Sequence, residues 1–350
     1  MNCVYVHINN DFSGSSYAIS AIIASHKLKN YYLATNFNNN GFIKESEHVN
    51  RINIPYRFKG VGLKTIFQIV RYNLIFFFKF SLICLNNEVN VVYVNTIHPF
   101  MAALMGKIFK KKIVYHIHEY YIKPSLLIKF YLYVMKLSCS ELIFVSEFTK
   151  KQYLKSYPVL KNFNHSVQYT PVRFSTINSK EIDYNLKFHG PISMICAPKK
   201  YKGIYMLIKL ALAMPERSFI LLLNTSYDFE TEIPTNLKVI VQHEDIESVL
   251  RISSICVNLS QKDLVLETFG LTLWESLTQG TPIICPNAGG PVEIVNDKCG
   301  IACETQNINE IIIAVKKILK NKKVYKNYSL SAIERSKFLS KKNIITNFNL

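Results

Sequence analysis

The fold of this chain is constrained first by a rhythm that runs through it twice: a short apolar run, a loop of small or polar residues, then a stretch with helical spacing. Residues 4–8 are such a run. The loop Asn9-Asn10-Asp11-Phe12-Ser13-Gly14-Ser15-Ser16 follows, and Ile19, Ile22, Ile23 and Leu28 then recur at helical intervals. Short apolar runs bounded by polar residues read as buried strands. Strands alternating with helices read as a parallel sheet covered on both faces. The alternation predicts strands at 31–34, 90–95, 113–119, 142–145 and 166–172, with helices over 65–85, 99–109 and 125–137. It restarts at Ile192-Ser193-Met194-Ile195-Cys196 and continues through runs at 218–223, 238–241, 254–260 and 281–286, with a turn and short strand at 300–301. Glu244-Asp245 opens a short helix with Asp245 as its cap, and helices at 308–319 and 324–339 finish the pattern. Residues 41–60 predict no element, and 173–190 are polar, mixed in charge and aperiodic. The expectation is α/β: two doubly wound, Rossmann-like domains over 1–172 and 191–336, joined by a linker at 173–190.

Composition limits what such a pair of domains does. The 350 residues give room for two ordinary domains, and 49% hydrophobic content excludes global disorder. The eight cysteines are scattered and lack paired metal-binding spacing. The opening Met-Asn-Cys-Val-Tyr-Val-His-Ile has neither the basic region nor the apolar core of a signal peptide, so reduced thiols and a cytoplasmic location are expected. The net charge of +18 is uneven, because residues 1–171 hold 20 Lys and Arg against 7 Asp and Glu. A basic half attracts an anionic leaflet, an anionic substrate or nucleic acid. Without zinc-finger spacing or an RNA-recognition signature, nucleic acid is not an expected partner.

Residues 65–85 are the one stretch to weigh as a membrane span. Gln68, Arg71, Asn73 and Lys79 break the run well short of the roughly 20 apolar residues a crossing needs. A long core helix is expected, and its mixture of aromatics with Arg and Lys also suits a bilayer surface. Contact with an anionic membrane is therefore peripheral.

The densest chemistry lies between Glu267 and Glu275, in Glu-Thr-Phe-Gly-Leu-Thr-Leu-Trp-Glu. The run follows a strand and leads into a helix over 271–279. Gly270 lets the backbone bend, and the first helical turn leaves backbone N–H groups without intrahelical partners, where an anion is favoured. One carboxylate complementing a helix start and another on a solvated loop would explain the pair alone. Its neighbours add to it. Asn287-Ala288-Gly289-Gly290-Pro291-Val292-Glu293 is a second Gly-rich turn opening a helix, and Lys199-Lys200-Tyr201-Lys202-Gly203 also links a strand to a helix. In the first half, His116 and His118 fall on one face of a strand. Hydrogen-bonded structural histidines are the ordinary reading there, and a metal pair with Glu119 lacks a third ligand.

With these three motifs in this order the chain resembles the retaining nucleotide-sugar glycosyltransferases of family 4, which have the GT-B fold. The resemblance is closest to the bacterial enzymes that build O-antigen and capsular polysaccharide, and it covers most of the chain. It implies two Rossmann-like domains facing across a cleft, with 337–350 returning to the first. It implies that Glu275 bonds the ribose hydroxyls, that Lys202 holds the diphosphate with Lys199 near it, and that Glu267 bonds the donor sugar. The turn through Phe269 and Gly270 into Leu271, Thr272 and Leu273 would present backbone N–H groups to the distal phosphate. His118 takes the family's histidine position, beside Glu119 in place of the usual aspartate. His118 and Glu267 are thus expected at the reacting centre, with Gly14, His98 and Glu119 on the acceptor side. Two departures stand out. The lysine loop lacks the arginine that many members carry early in it, and if Lys199 stands in for it, ammonium does not reproduce the guanidinium fork. Thr170-Pro171 replaces the usual Asn-Gly.

The expected activity is transfer of a sugar from a nucleotide-diphosphate donor to a glycan or polyprenyl-linked acceptor, with retention and without a cofactor or an obligatory metal. The expected place is the inner face of the cytoplasmic membrane. A nucleotide-sugar 2-epimerase of the same shape and a non-catalytic membrane-surface binding protein are the rival readings.

Overall fold

The structure, a computed structural model, describes residues 2–26, 31–37, 41–44, 49–54, 63–85, 89–241 and 246–343. Asp245, read as a helix cap, and residues 344–350, the end of the segment read as returning to the first domain, lie outside them. The chain divides into two compact units that meet in sequence between Thr170 and Pro171.

The first unit is a seven-stranded sheet of β1 (Asn2–Val6), β2 (Tyr31–Thr35), β3 (Val49–Asn53), β4 (Val89–Asn95), β5 (Lys112–Ile117), β6 (Glu141–Phe144) and β7 (Asn164–Val167). Its order is β3-β2-β1-β4-β5-β6-β7, with every neighbouring pair parallel. Alternate side chains of the central strands enter two cores. Val4, Val92, Val94 and Tyr115 pack under the helices Leu63–Leu85, Phe100–Ile108 and Leu126–Ser138, while Tyr5, Leu33, Tyr93 and Val114 pack with Ile19 and Ile22 of the helix Gly14–His26. Ser125 and Ser146 cap their helices through Oγ, accepting from the N–H groups of Ile128 and Thr149.

The second unit repeats the plan. Strands β8 (Ile192–Cys196), β9 (Phe219–Leu223), β10 (Leu237–Val241), β11 (Ile255–Val257), β12 (Ile283–Pro286) and β13 (Gly300–Cys303) form a parallel sheet in the order β10-β9-β8-β11-β12-β13. The stretch 173–190 carries structure of its own. The helix Tyr184–His189 is capped by Asp183, which accepts from Asn185 and Leu186, and Phe188 packs against the core of this unit.

One strand was not predicted. β3, Val-Asn-Arg-Ile-Asn, lies at the edge of its sheet and buries only Ile52 completely. An edge strand with one solvated face needs few apolar residues, so the apolar run that marks central strands is missing. In both sheets the order reverses between the first and fourth strands, β1 and β4 in one unit and β8 and β11 in the other. Ligands of doubly wound sheets bind beyond the carboxyl ends of strands at that reversal.

Candidate functional site

At the reversal in the second unit, the loop after β8 meets the loop after β11. Gly203 has φ +86°, and a Cβ there would lie 2.1 Å from the Leu259 carbonyl oxygen, so only glycine allows this approach. The Gln261 N–H donates to the Tyr201 carbonyl at 2.8 Å and ties the loops together. Lys202, on a single 3₁₀ turn, is thereby aimed at Glu267, and Nζ donates to Oε2 at 2.5 Å. Ser260 Oγ donates to the same oxygen at 3.5 Å. Burial pushes the Glu267 carboxyl up. The Lys202 charge, with hydrogen bonds from Lys202, Asn258 and Ser260, outweighs it and holds the group below its usual 4.5. Lys202 answers in the opposite sense. Burial favours the neutral amine, but Glu267 keeps the ammonium charged and its pKa above the ordinary value.

The Gly-rich turn supports this arrangement from the other side. Gly290 N–H donates to the Glu267 carbonyl at 2.8 Å, and a Cβ on Gly290 would lie 2.1 Å from the Thr268 carbonyl oxygen. The loop 267–269 and the turn 287–290 are therefore packed backbone to backbone. Gly270, at φ +102°, starts the helix Leu271–Thr278 with no side chain capping it. Leu271 and Thr272 open its first turn, Leu273 is buried, and Phe269 packs edge-on against Trp274 with ring centroids 6.0 Å apart. A charged lysine, a carboxylate and a helix start uncapped by any side chain together suit a ligand that carries hydroxyls and phosphates. Lys199 precedes the 3₁₀ turn Lys200–Lys202 and is exposed.

Glu275 is one turn into the same helix and completely buried. Its carboxylate is taken by Arg173: Nε donates to Oε1 at 2.5 Å, Nη2 donates to Oε2, and the Arg173 backbone N–H reaches Oε1 at 3.3 Å. Sequence reasoning passed over Arg173 because it lies in the stretch read as linker. A ribose hydroxyl bound by Glu275 would share that carboxylate with the guanidinium.

The first unit holds a different site at its own reversal. Asn95, ending β4, donates through Nδ2 to His7 Nδ1 at 2.9 Å, and His7 Nε2–H points to Ser16 Oγ at 3.0 Å. His118 Nε2–H donates to Asn95 Oδ1 at 2.8 Å, and Ser16 Oγ–H donates to Asp11 Oδ1 at 2.8 Å. Burial drives His118 well below the ordinary 6.5, and the nearby His116 and His7 push it the same way. Burial likewise lowers His116 to about 3 and His7 to about 4. His118 is thus a neutral imidazole with its Nε2 proton fixed by Asn95. The rings of His116 and His118 lie 4.0 Å apart, and His116 Nδ1 pairs with the Tyr93 hydroxyl.

Glu119 spends its carboxylate on backbone, accepting from Ile97 N–H at 3.0 Å and His118 N–H at 3.3 Å. It braces a strained loop, since Thr96, a β-branched residue, has φ +74°. His98 bonds the Tyr121 hydroxyl at 3.1 Å. Gly14 opens its helix, with space for a Cβ. His7 and Asn95 had one sequence signal, their place at strand carboxyl ends. Among the described residues, no group of three or more His, Cys, Asp and Glu is placed to hold a metal.

Residues 229–335, which include Glu267, Glu275 and the Gly-Gly turn, match the family model described as glycosyl transferases group 1. The chain is similar to sucrose-phosphate synthase from Thermosynechococcus elongatus at TM-score 0.72 and 16% identity, with 97% of this chain and 94% of that one covered. It is similar to WaaG, a glycosyltransferase involved in lipopolysaccharide biosynthesis, at TM-score 0.72 and 12% identity over 96% of this chain and 95% of that one. Anabaena HepE, solved in complex with UDP-glucose, is similar at TM-score 0.68 and 14% identity over 98% of both chains. No curated protein matches the chain in sequence. At such identities the likeness is one of fold, and the fold is GT-B. With a glycosyl transferases group 1 domain in that fold, the chain is a glycosyltransferase.

Proposed function

We propose that this protein is a retaining glycosyltransferase of the family 4 type. It moves a sugar from a nucleotide-diphosphate donor to a glycan or polyprenyl-linked acceptor in the assembly of a bacterial surface polysaccharide, O-antigen or capsule. The observation that carries the reading is the Lys202–Glu267 pair, set beside the start of the helix Leu271–Thr278 at the sheet reversal. A departing diphosphate gathers negative charge. An ammonium and backbone N–H groups already aimed at that place stabilise it without reorganising. Glu267, ionised through its contact with Lys202, accepts hydrogen bonds from sugar hydroxyls. UDP and UDP-glucose in HepE structures support a nucleotide-sugar donor. The reading needs no metal, because Lys202 and the helix start supply the positive field.

His118 supports the acceptor side of the reading. Its imidazole is neutral and its orientation is fixed by Asn95, so it would meet an acceptor hydroxyl as an uncharged hydrogen-bonding group. We place the protein peripherally at the inner face of the cytoplasmic membrane, where a polyprenyl-linked acceptor would be met.

The test is incubation of purified protein with a panel of labelled nucleotide-sugars, with and without lipid-linked acceptor. Transfer to acceptor with the donor's anomeric configuration kept, by NMR of the product, supports the reading. Inverted product overturns retention, and epimerised donor without transfer overturns transfer itself.

A further inference from the structure

The first unit presents an apolar face that nothing in the chain's described residues covers. Three neighbouring helices build it, Leu63–Leu85, Phe100–Ile108 and Leu126–Ser138, with the middle one packed against both others. The longest helix buries Tyr72, Phe76 and Phe80 in the core. On its other side Phe67, Val70, Leu74, Phe78, Leu82 and Leu85 recur every three or four residues, and their exposure runs from 52% to 70%. At 1.5 Å per residue that ridge is about 27 Å long. The helix Leu126–Ser138 repeats the design: Tyr131, Leu132 and Met135 face the core, while Leu126, Phe130, Tyr133 and Leu137 stand in the open, Leu126 at 84%. Exposed Ile108 ends the helix between them. A helix apolar on both sides with only one side buried implies a partner for the other.

The charges say which partner. The three helices contain no Asp or Glu, yet they carry Lys64, Arg71, Lys79, Lys107, Lys129 and Lys136, and Lys110 and Lys111 follow the middle one. Arg71, Lys79, Lys107, Lys129 and Lys136 are exposed beside the apolar rows. A second copy docked through the same face would set cations against cations, with no carboxylate to receive them. An anionic bilayer has what the face lacks: an apolar layer for the ridge and phosphates at the depth that lysine and arginine side chains reach. No helix among the described residues is long and apolar enough to cross a membrane, so the face rests on it.

We propose that this three-helix face seats the first unit on an anionic lipid surface, with Phe67, Leu74, Phe78 and Leu82 entering the headgroup–acyl boundary and the flanking cations meeting lipid phosphates. It gives the peripheral placement proposed above a defined surface. It uses no residue of the second unit, so it stands or falls separately from the donor site.

The experiment is sedimentation of the full chain with vesicles of pure phosphatidylcholine and with vesicles part-replaced by phosphatidylglycerol, at low and high salt. Light scattering of the protein alone runs beside it. Two variants are compared, Leu74→Asp/Phe78→Asp and Lys129→Glu/Lys136→Glu, after confirming that each keeps the wild-type unfolding temperature and nucleotide-sugar binding. Wild type is expected to bind phosphatidylglycerol vesicles at least about tenfold more tightly than phosphatidylcholine, less so in high salt. The aspartate variant is expected to lose binding to both, and the glutamate variant to lose only the preference for anionic lipid. Binding unchanged in both variants, or absent in wild type, overturns the proposal. So does a wild-type dimer that Leu74→Asp/Phe78→Asp turns into a monomer, because the face would then belong to a second copy.

Discussion

Arg173 lays its guanidinium along the Glu275 carboxylate as a two-pronged fork, and the same carboxylate also accepts the Arg173 backbone N–H. The carboxylate is wholly buried and the arginine side chain keeps only 16% of its surface exposed. The bond joins the stretch read as linker to the helix that opens at the site. A buried charge stays tolerable only while its partner remains.

Arg173→Ala should therefore cost about 3–5 kcal/mol, because it strands the Glu275 charge. Arg173→Met combined with Glu275→Gln removes both charges and should cost clearly less than the single change. Urea midpoints of wild type, Arg173→Ala and the pair decide it. A single variant no less stable than the pair contradicts a desolvated ion pair here.

Lys202→Met should weaken nucleotide-sugar binding by about 10- to 100-fold, the worth of one or two charge-assisted hydrogen bonds. It should also weaken a pH dependence. In wild type the folded Glu267 pKa lies below its usual 4.5, so the pair's stabilisation is present above that value and lost as pH falls through the folded pKa. Without Lys202, burial opposes only the hydrogen bonds from Asn258 and Ser260, so the folded pKa rises and the stability gained on ionisation shrinks. Unfolding free energies of both proteins between mildly acidic and neutral pH expose that loss.

His118 should stay neutral through the physiological range, since burial and its neighbours hold it well below 6.5. Asn95→Asp puts a carboxylate against its Nε2–H and should raise the pKa by a unit or more. Ring NMR signals followed through a pH titration give the answer. A signal that titrates near 6.5 in wild type, or fails to move in the variant, removes the proposed hold on the tautomer.

Lys187 offers a test away from the site. Its buried ammonium donates to the Leu250 and Arg251 carbonyls at 3.0 and 2.7 Å, closing the end of the helix Ile246–Ile252. Burial, aided by Arg251, lowers its pKa from 10.5 to about 7. Between those values the unfolded chain holds the extra proton, so this group makes stability rise with pH. The slope is at most about 1.4 kcal/mol per pH unit. Subtracting the profile of Lys187→Met from that of wild type should isolate it. A flat difference refutes the depressed pKa.

How far the fold could be read in advance depended on where each strand lies. β4 and β8 are central, covered on both faces, and spelled almost wholly in apolar residues. β3 is at an edge and reads Val-Asn-Arg-Ile-Asn, a pattern that polar loops share. The site divides in the same way. Glu267, Gly270 and Glu275 are legible because a loop-to-helix turn forces a local spacing. Arg173 lies 102 residues from Glu275, and Asn95 lies 88 from His7. No local pattern records such distances.

The sequence by itself determined the two α/β halves, the lysine loop, the carboxylate-bearing turn and the glycine turn. Each of these is written in short-range periodicity and in backbone conformations that few residues adopt. Tertiary structure decided the pairings: Lys202 with Glu267, Arg173 with Glu275, His118 with Asn95. It also decided that the helix Leu63–Leu85 sends one apolar side into the core and leaves the other outside. The physical reason is common to all of them. Charge pairing and burial depend on distance through space, and only the sheet order of each unit brings the carboxyl ends of β1 and β4, or of β8 and β11, side by side.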